Sequence, residues 1–407
     1  MSSFIINGGQ RLHGKIEISG SKNAALPIIF ATIVTKGISK IVGLPNISDV
    51  RVALDILKSM GATIHCDGEA VYIDTVMLEY REPSAELVCQ IRASSYLLGA
   101  CLSRFGRAHL SAFGGCNFER RPIDMHLAAA VSLGARCENG ELTAKSLHGS
   151  DITFKKTSVG ATVNAILMAS GAQGKTKIYG YAREPHVFSL IEFLRGGGAA
   201  ISFCNDYIEI EGRELSGSCA TVIPDMIEAG TYAVISLITG SELEISGINR
   251  QDLSSFFNAL VRGGATLVFS GDSVFPQGII DEFLSVTTAP HPSFPTDLQP
   301  IMAPLLAAFC GGRLTESVWL SRFGYLSLLS GFGVKYELNG SSATIYPSDL
   351  HPATVEAPDL RGGAALLIAA LKAEGESRID SAQIINRGYE NIVNKLRGIG
   401  AQIKEIQ

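Results

Sequence analysis

The sequence predicts an α/β protein of two domains. Three observations carry that expectation: a helix, glycine and strand pattern repeated six times, a length of 407 residues, and 46% hydrophobic against 18% charged residues. At roughly 100 to 200 residues per domain the chain exceeds one compact core, and its apolar content is that of a folded chain. The repeat reads Leu-x-x-x-Gly-Ala-x-apolar, with Ala130 replacing the leucine in the second copy and Val334 the alanine in the fifth. Its glycines are Gly61, Gly134, Gly198, Gly264, Gly333 and Gly400, spaced 73, 64, 66, 69 and 67 residues apart. Each copy looks like a helix stopped by a left-handed glycine and followed by an alternating strand such as Thr63 to Ile73. Upstream, Lys40 to Gly43, Lys177 to Gly180 and Leu243 to Gly247 add a strand ending on a glycine turn, so a unit holds several strands and at least two helices. Units this long do not stack as a solenoid, and six of them fit two domains of three, with the crossing near Thr221 to Pro224. The strand-like Phe4 to Gly8 and Lys15 to Ile18 precede the first full unit, which places them with the C-terminal half.

The 34 basic and 39 acidic residues leave a net charge of −5, too little positive charge for a general nucleic-acid or anionic-membrane binder. The most apolar stretches, Ala24 to Val34 and Ala364 to Leu371, fall short of the ~18 residues a membrane span needs. Met1-Ser2-Ser3-Phe4 carries no basic region before a long apolar one, so the chain is expected to be cytoplasmic. Cysteines 66, 89, 101, 116, 137, 204, 219 and 310 form neither a Cys-x-x-Cys pair nor a cluster with histidines. They suggest no zinc site and no disulfide framework, and most are expected to be reduced, buried and apolar in role. Neither a metal nor a redox cofactor is indicated.

Four segments place reactive side chains beside glycines and prolines where helices begin. In Ser21-Lys22-Asn23 a cation and an amide follow a strand and open a helix of small residues, which suits an anion, although a capping Ser21 and a solvated Lys22 fit equally well. In Gly114-Gly115-Cys116, followed by Arg120, Arg121, Pro122, Ile123, Asp124, Met125 and His126, a thiol sits at the tip of a glycine turn beside two arginines. That setting stabilises a thiolate or an anionic substrate. Lys156, Ser158, Val159 and Gly160 form a second candidate phosphate cradle, without the Walker pattern. The prolines around His291 to Asp297 leave Asp297 either as a poised carboxylate or as a helix cap. Arg92, Arg322, Arg361 and Arg387 stand at or near element starts.

Taken in order, Ser21 to Pro27, Gly114 to Cys116, Arg121 to His126, Ser158 to Thr162, Ala182 to Pro185, Pro290 to Asp297, Asp359 to Arg361 and Arg387 to Glu390 closely resemble the UDP-N-acetylglucosamine 1-carboxyvinyltransferase family of enolpyruvyl transferases. The likeness spans essentially the whole chain. It implies the enolpyruvyl-transferase fold, two domains of three βαβαββ-like units (residues 20–223, and 1–19 with 224–407), helices inside, sheets outside and an active site in the cleft. It also implies transfer of the enolpyruvyl group of phosphoenolpyruvate to a sugar 3-hydroxyl, with phosphate released, at the entry to peptidoglycan synthesis. Positions matching Lys22, Arg121 and Arg387 would hold the phosphate of phosphoenolpyruvate, those matching Arg322 and Arg361 its carboxylate, with Arg92 near the loop. Asn23, Arg92, Arg121 to Met125, Lys156, Ser158 to Gly160, Asp297 and Val318 would contact the nucleotide sugar. The resemblance makes Asp297 the base, while Cys116, as a thiol of pKa ~8.5, is an acid still protonated at neutral pH or an aid to product release. The same thiol would make the protein sensitive to fosfomycin, and closure of 114 to 121 would expel water.

The sequence departs from the family pattern at Glu119 in the loop, at Met226 where an arginine is usual, at Leu320 and Ser321, and at Asn386 before Arg387. These departures keep open another acceptor, a nucleotide or shikimate 3-phosphate, and a catalytically silent nucleotide-sugar binding protein. The segments 121 to 126 and 158 to 162 disfavour shikimate 3-phosphate, and the retained Cys116 and Asp297 disfavour a silent protein. Oligomeric state is not legible.

Overall fold

The computed structural model describes residues 2–109 and 122–407. Two compact units emerge, one from residues 2–19 and 224–407, the other from 20–109 and 122–223. Both are built on the same chain reversal. All six repeat glycines lie in the left-handed region, with φ from +91° at Gly333 to +108° at Gly264. In each copy the N–H after the glycine donates to the carbonyl five residues earlier. These bonds run from Ala62 to Leu57, Ala135 to Ala130, Ala199 to Leu194, Ala265 to Leu260, Val334 to Leu329 and Ala401 to Leu396, at 3.0 to 3.3 Å. That is the long bond of a Schellman cap, and it explains the repeat. The first apolar residue supplies the carbonyl, the glycine takes the conformation other residues avoid, and the next residue returns the N–H.

After the cap the chain forms a hairpin, where the alternation of Thr63 to Ile73 had suggested one strand. Thr63–Asp67 and Ala70–Asp74 pair antiparallel about Gly68, whose φ is +58°. Alternation continues on both sides of a two-residue turn, so periodicity alone does not reveal the break. The hairpin joins the strand Ile38–Val42, giving a four-stranded sheet completed by Cys219–Thr221. Four-stranded sheets also form from Asp151–Thr153, Lys175–Tyr179, Tyr207–Glu211 and Ala200–Phe203, and from Leu284–Thr287, Gly312–Thr315, Ser342–Tyr346 and Lys335–Asn339. The N-terminal strands join residues 224–407, as their position before the first unit suggested. Ser3–Gly8 lies between Gly375–Asp380 and Gln402–Ile406, and His13–Glu17 runs parallel to Glu242–Ser246.

Helices Lys22–Ala31, Val159–Ser170, Met226–Ile238, Gln299–Ala308 and Leu360–Lys372 are buried on nearly all sides and form the interior of the units, with sheets outside. Helices such as Ser48–Ser59 and Ser254–Arg262 bury one face only. No helix among the described residues is long and apolar enough to cross a membrane.

The cysteines correct one expectation. All seven described are free, yet only Cys101 is buried; Cys66, Cys89, Cys137, Cys219 and Cys310 are exposed and Cys204 is intermediate. Cys219 lies on the solvent face of its strand, whereas Cys66 and Cys137 pair with Val71 and Leu142 on the apolar face but belong to edge strands, where nearly every residue is exposed. A sheet outside its helices has a solvent face at every second residue.

Where the chain leaves the first unit, Ser19 is held by a buried charge cluster. Lys395 Nζ donates to Glu228 Oε1 at 2.7 Å, to Ser19 Oγ at 2.6 Å and to the Glu17 carbonyl at 2.8 Å, while the Ser19 N–H donates to Glu228 Oε2 at 2.9 Å. Burial outweighs Lys395 and pushes the Glu228 carboxyl up to about 7 from its ordinary 4.5. Between those values the folded chain binds a proton that the unfolded chain has lost, so this contribution to stability falls as pH rises. Glu228→Gln should therefore flatten the loss of stability between pH 4.5 and 7, measured by urea unfolding at several pH values. An unchanged slope would show that Glu228 does not titrate there.

Candidate active site

Residues 224–407 bring three of the anticipated residues into contact. Asp297 occupies the 3-10 turn Thr296–Leu298, just before the helix Gln299–Ala308. Its Oδ1 lies 2.8 Å from Arg322 Nη1 and its Oδ2 3.1 Å from Arg361 Nη2. The guanidinium groups are 6% and 4% exposed while the carboxylate is 29% exposed, so the anion is the solvent-accessible partner. Asp297 is thus no helix cap.

Each arginine is fixed by neighbours. Arg322 Nη1 also donates to Thr296 Oγ1 at 3.0 Å, and Thr296 Oγ1 donates to Glu316 Oε1 at 2.9 Å. Glu316 accepts in addition from Thr288 Oγ1 and from the Trp319 N–H, and burial raises its carboxyl above the usual range. Arg361 is the second residue of the helix Leu360–Lys372, whose first N–H groups are capped by Asp359. Its guanidinium lies 5.7 Å from the centre of the Tyr389 ring, and the Tyr389 hydroxyl is 2.8 Å from Thr231 Oγ1. Burial opposes the Arg361 charge, but the field of Asp297 and the nearby Tyr389 and Asp225 prevail and raise its pKa. Arg361 Nη1 is buried and makes no hydrogen bond of ordinary geometry among the described residues. A buried donor left in this way costs free energy that an incoming acceptor recovers.

Other expected positions lie elsewhere in residues 224–407. Arg387 ends the 3-10 stretch Ala382–Arg387 and is half-buried, as is Val318. Of the departures, Met226 opens the helix Met226–Ile238, Leu320 and Ser321 are exposed, and Asn386 Nδ2 donates to Glu405 Oε1 at 3.3 Å.

In residues 20–223 the expected side chains gather at helix starts. Lys22 is the first residue of its helix, and its Nζ lies 2.8 Å from Asp49 Oδ2, with the pair 14% and 4% exposed. The ammonium is therefore held by a buried carboxylate instead of being solvated. Asn23 follows it, half-buried, and Arg92 opens the 3-10 helix Arg92–Tyr96. Asp124 and Met125 open the helix Asp124–Ser132, preceded by an exposed Pro122 and a half-buried Ile123. Ser158 caps the helix Val159–Ser170 by accepting the Ala161 N–H at 3.3 Å, and Gly160 lies in its first turn after an exposed Lys156. Cys116, Glu119, Arg120 and Arg121 lie outside the described residues.

Sequence reasoning missed Asp49, which pairs with Lys22, and Glu316, which holds the Thr296 hydroxyl that Arg322 donates to. Asp49 reads as an ordinary acidic residue in a first helical turn. Glu316 lies in Thr-Glu-Ser with no pattern around it; only its place between Arg313 and Arg322 in sequence hints at a charge network.

A family model described as EPSP synthase (3-phosphoshikimate 1-carboxyvinyltransferase) matches residues 6–396. The UDP-N-acetylglucosamine 1-carboxyvinyltransferase of Halothermothrix orenii is 40% identical with all of both chains covered. That of Clostridium botulinum is 40% identical over 99% of each chain. Among solved structures, the enolpyruvyl transferase NikO from Streptomyces tendae superposes with a TM-score of 0.89 at 28% identity, covering 99% of this chain and 98% of that one. EPSP synthase from Acinetobacter baumannii, at 17% identity and a TM-score of 0.74 over the whole of both chains, shows the same fold. With the family model covering nearly its full length and relatives at 40% identity along all of it, this chain belongs to the EPSP synthase family of enolpyruvyl (carboxyvinyl) transferases.

Proposed function

We propose that this protein transfers the enolpyruvyl group of phosphoenolpyruvate to the 3-hydroxyl of UDP-N-acetylglucosamine and releases phosphate, as a cytoplasmic enzyme of peptidoglycan synthesis. The observation that carries this reading is the buried Arg322 and Arg361 pair around Asp297, with Arg361 Nη1 short of an acceptor. It fits a small substrate carboxylate, and the full-length relatives carry the same activity in their names.

The chemistry needs a proton removed from the hydroxyl oxygen as that oxygen bonds to C2 of phosphoenolpyruvate, and a proton delivered to C3. The tetrahedral adduct then loses a proton from C3 and the phosphate from C2, restoring the double bond. We assign the first removal to Asp297 and the delivery at C3 to Cys116. Arg322 and Arg361 bind the carboxylate of phosphoenolpyruvate, while Lys22, Arg121 and Arg387 take its phosphate. Arg92 serves both substrates. Asn23, Pro122 to Met125, Lys156, Ser158 to Gly160 and Val318 serve the nucleotide sugar, with the first-turn N–H groups at Val159 and Gly160 available to phosphoryl oxygens. Asp297 bridges the two arginines and offsets part of their charge. When the substrate carboxylate takes over those cations, an Asp297 oxygen becomes available to accept a proton, which couples binding to the readiness of the base.

The purified protein should release phosphate from phosphoenolpyruvate when UDP-N-acetylglucosamine is present and not when UMP or shikimate 3-phosphate replaces it. Release with one of those alone would reassign the acceptor, and silence with all three would remove the enzymatic reading. Asp297→Ala should lower kcat by at least ~10²-fold, the scale of a lost general base. Its affinity for the nucleotide sugar, measured by calorimetry, should stay within a few-fold, and unchanged turnover would take Asp297 out of the mechanism. Cys116→Ser should cause a comparably large loss, since a hydroxyl is a far weaker acid than a thiol; near-normal kinetics would make the thiol a bystander.

A further inference from the structure

Beside the Asp297 clamp lies a buried carboxylate that has no task in the scheme above. Glu316 follows the strand Gly312–Thr315 and is 1% exposed. Three donors reach it. Oε2 accepts from Thr288 Oγ1 at 2.9 Å and from the Trp319 N–H at 3.2 Å, and Oε1 accepts from Thr296 Oγ1 at 2.9 Å. Burial raises its carboxyl above the ordinary value, against the pull of these donors and the field of Arg322. Partners that all donate are the partners an ionised carboxylate takes, since it can only accept.

The direction of each bond is fixed by its neighbours. Thr288 Oγ1 accepts the Ser317 N–H at 3.1 Å, which leaves its own proton for Glu316. Arg322 Nη1 lies 3.0 Å from Thr296 Oγ1 and can only donate, so the Thr296 oxygen turns a lone pair to Arg322 and its single proton to Glu316. The same Nη1 is 2.8 Å from Asp297 Oδ1. One nitrogen of Arg322 thus has two acceptors of different kinds. Asp297 is partly exposed and, in the functional reading, changes partners, whereas the Thr296 hydroxyl is held from behind by an anion that solvent does not reach. The backbone is tied to the same carboxylate: Trp319, whose N–H donates to Glu316, accepts the Arg322 N–H on its carbonyl at 3.0 Å.

We infer that Glu316 is a positioning residue for the reaction: through the Thr296 hydroxyl it fixes the Arg322 guanidinium in the orientation that receives the substrate carboxylate when Asp297 gives way. The inference rests on the functional reading for the identity of that carboxylate, but not for the fixing of Arg322.

Glu316→Gln is a selective probe of this link. The Trp319 N–H cannot reverse, so the amide oxygen takes the place of Oε2 and keeps the turn, while the amide NH2 faces Thr296. There it donates to an oxygen that already accepts from Arg322, and the link is undone. The KM for phosphoenolpyruvate should rise about tenfold or more, the scale of one weakened hydrogen bond to a charged group. Affinity for the nucleotide sugar, measured by calorimetry, should stay near its starting value, a split that general loosening of the fold would not produce. Thr296→Val, at a half-buried position, should raise the same KM even if Glu316→Gln folds poorly, and Thr296→Ser, which keeps the hydroxyl, should bring it back down. The double variant Glu316→Gln with Thr296→Val should be no worse than the worse single one, because both act on one bond. Additive losses, an unaltered KM in either single variant, or equal losses of affinity for both substrates would each overturn the inference.

A readout without substrate separates this inference from the functional reading. In protein labelled with 15N-arginine, the Arg322 guanidinium protons, assigned with Arg322→Lys, should exchange with water several-fold faster in Glu316→Gln and in Thr296→Val than in the intact chain. Faster exchange in both variants, with no phosphate released by the intact chain, would remove the functional reading and leave the inference standing. Phosphate release at an unaltered KM in Glu316→Gln, with unaltered exchange, would remove the inference and leave the functional reading standing.

Discussion

The carbonyl-to-N–H bond that spans each left-handed glycine is the contact on which the architecture depends. Six times a helix ends because one glycine reverses the chain and the following residue returns its N–H to the leucine or alanine that began the repeat. A side chain at the glycine would carry the cost of a left-handed backbone, roughly 1 kcal/mol or more. Once the chain is reversed, the next strands lie against the helix and leave one face to solvent. Central helices such as Leu360–Lys372 are then enclosed almost completely, and their middles must be apolar. Charged side chains concentrate near the ends. Lys22, Arg92, Asp124, Ser158, Asp297 and Arg361 all occupy such ends, where unpaired N–H groups and the helix dipole already favour anions. The placement of chemistry follows from what the core excludes.

Concentrating cations in so dry a setting has a cost, and the chain meets it internally. Lys22 is paired with Asp49, Arg322 and Arg361 with Asp297, and Lys395 with Glu228. An isolated buried charge would cost several kcal/mol, and removing one member of such a pair typically costs ~3 to 5 kcal/mol. The three carboxylates differ in accessibility. Asp49 and Glu228 are nearly inaccessible, whereas Asp297 is partly open. That difference fits two structural carboxylates and one that changes partners during a reaction.

Much of the fold was legible because it is periodic. The six glycines, their spacing and the strand patterns before them are repeated signals, and the pairing of the N-terminal strands with residues 224–407 followed from their place before the first unit. The Thr63 to Ile73 hairpin was not legible as two strands, because alternation is blind to a two-residue turn. The cysteines misled because their apolar character says nothing about whether their strand is central or at a sheet edge, or which face they occupy. Among the site residues, the candidate arginines and Asp297 were visible as charges beside prolines and glycines, and their assembly around one carboxylate is a contact across 25 and 64 positions of sequence. Asp49 and Glu316 left no local trace. Each acts through a partner distant in sequence, and no spacing rule encodes which acidic group faces which cation.

The clamp around Asp297 also constrains how a substrate can enter. Arg322 is tied to Thr296, and Arg361 issues from a capped helix and packs near Tyr389, so neither cation is well placed to move toward a ligand. The carboxylate is the exposed partner, and both its oxygens are engaged. In the reading proposed above, a substrate carboxylate approaching these arginines competes with Asp297 for the same donors. Binding would then proceed by exchange of one anion for another. A neutral ligand would receive no such exchange. Displacing Asp297 in its favour would leave two buried guanidinium groups unpaired, so the arrangement selects an anion before any contact with the rest of the substrate is made.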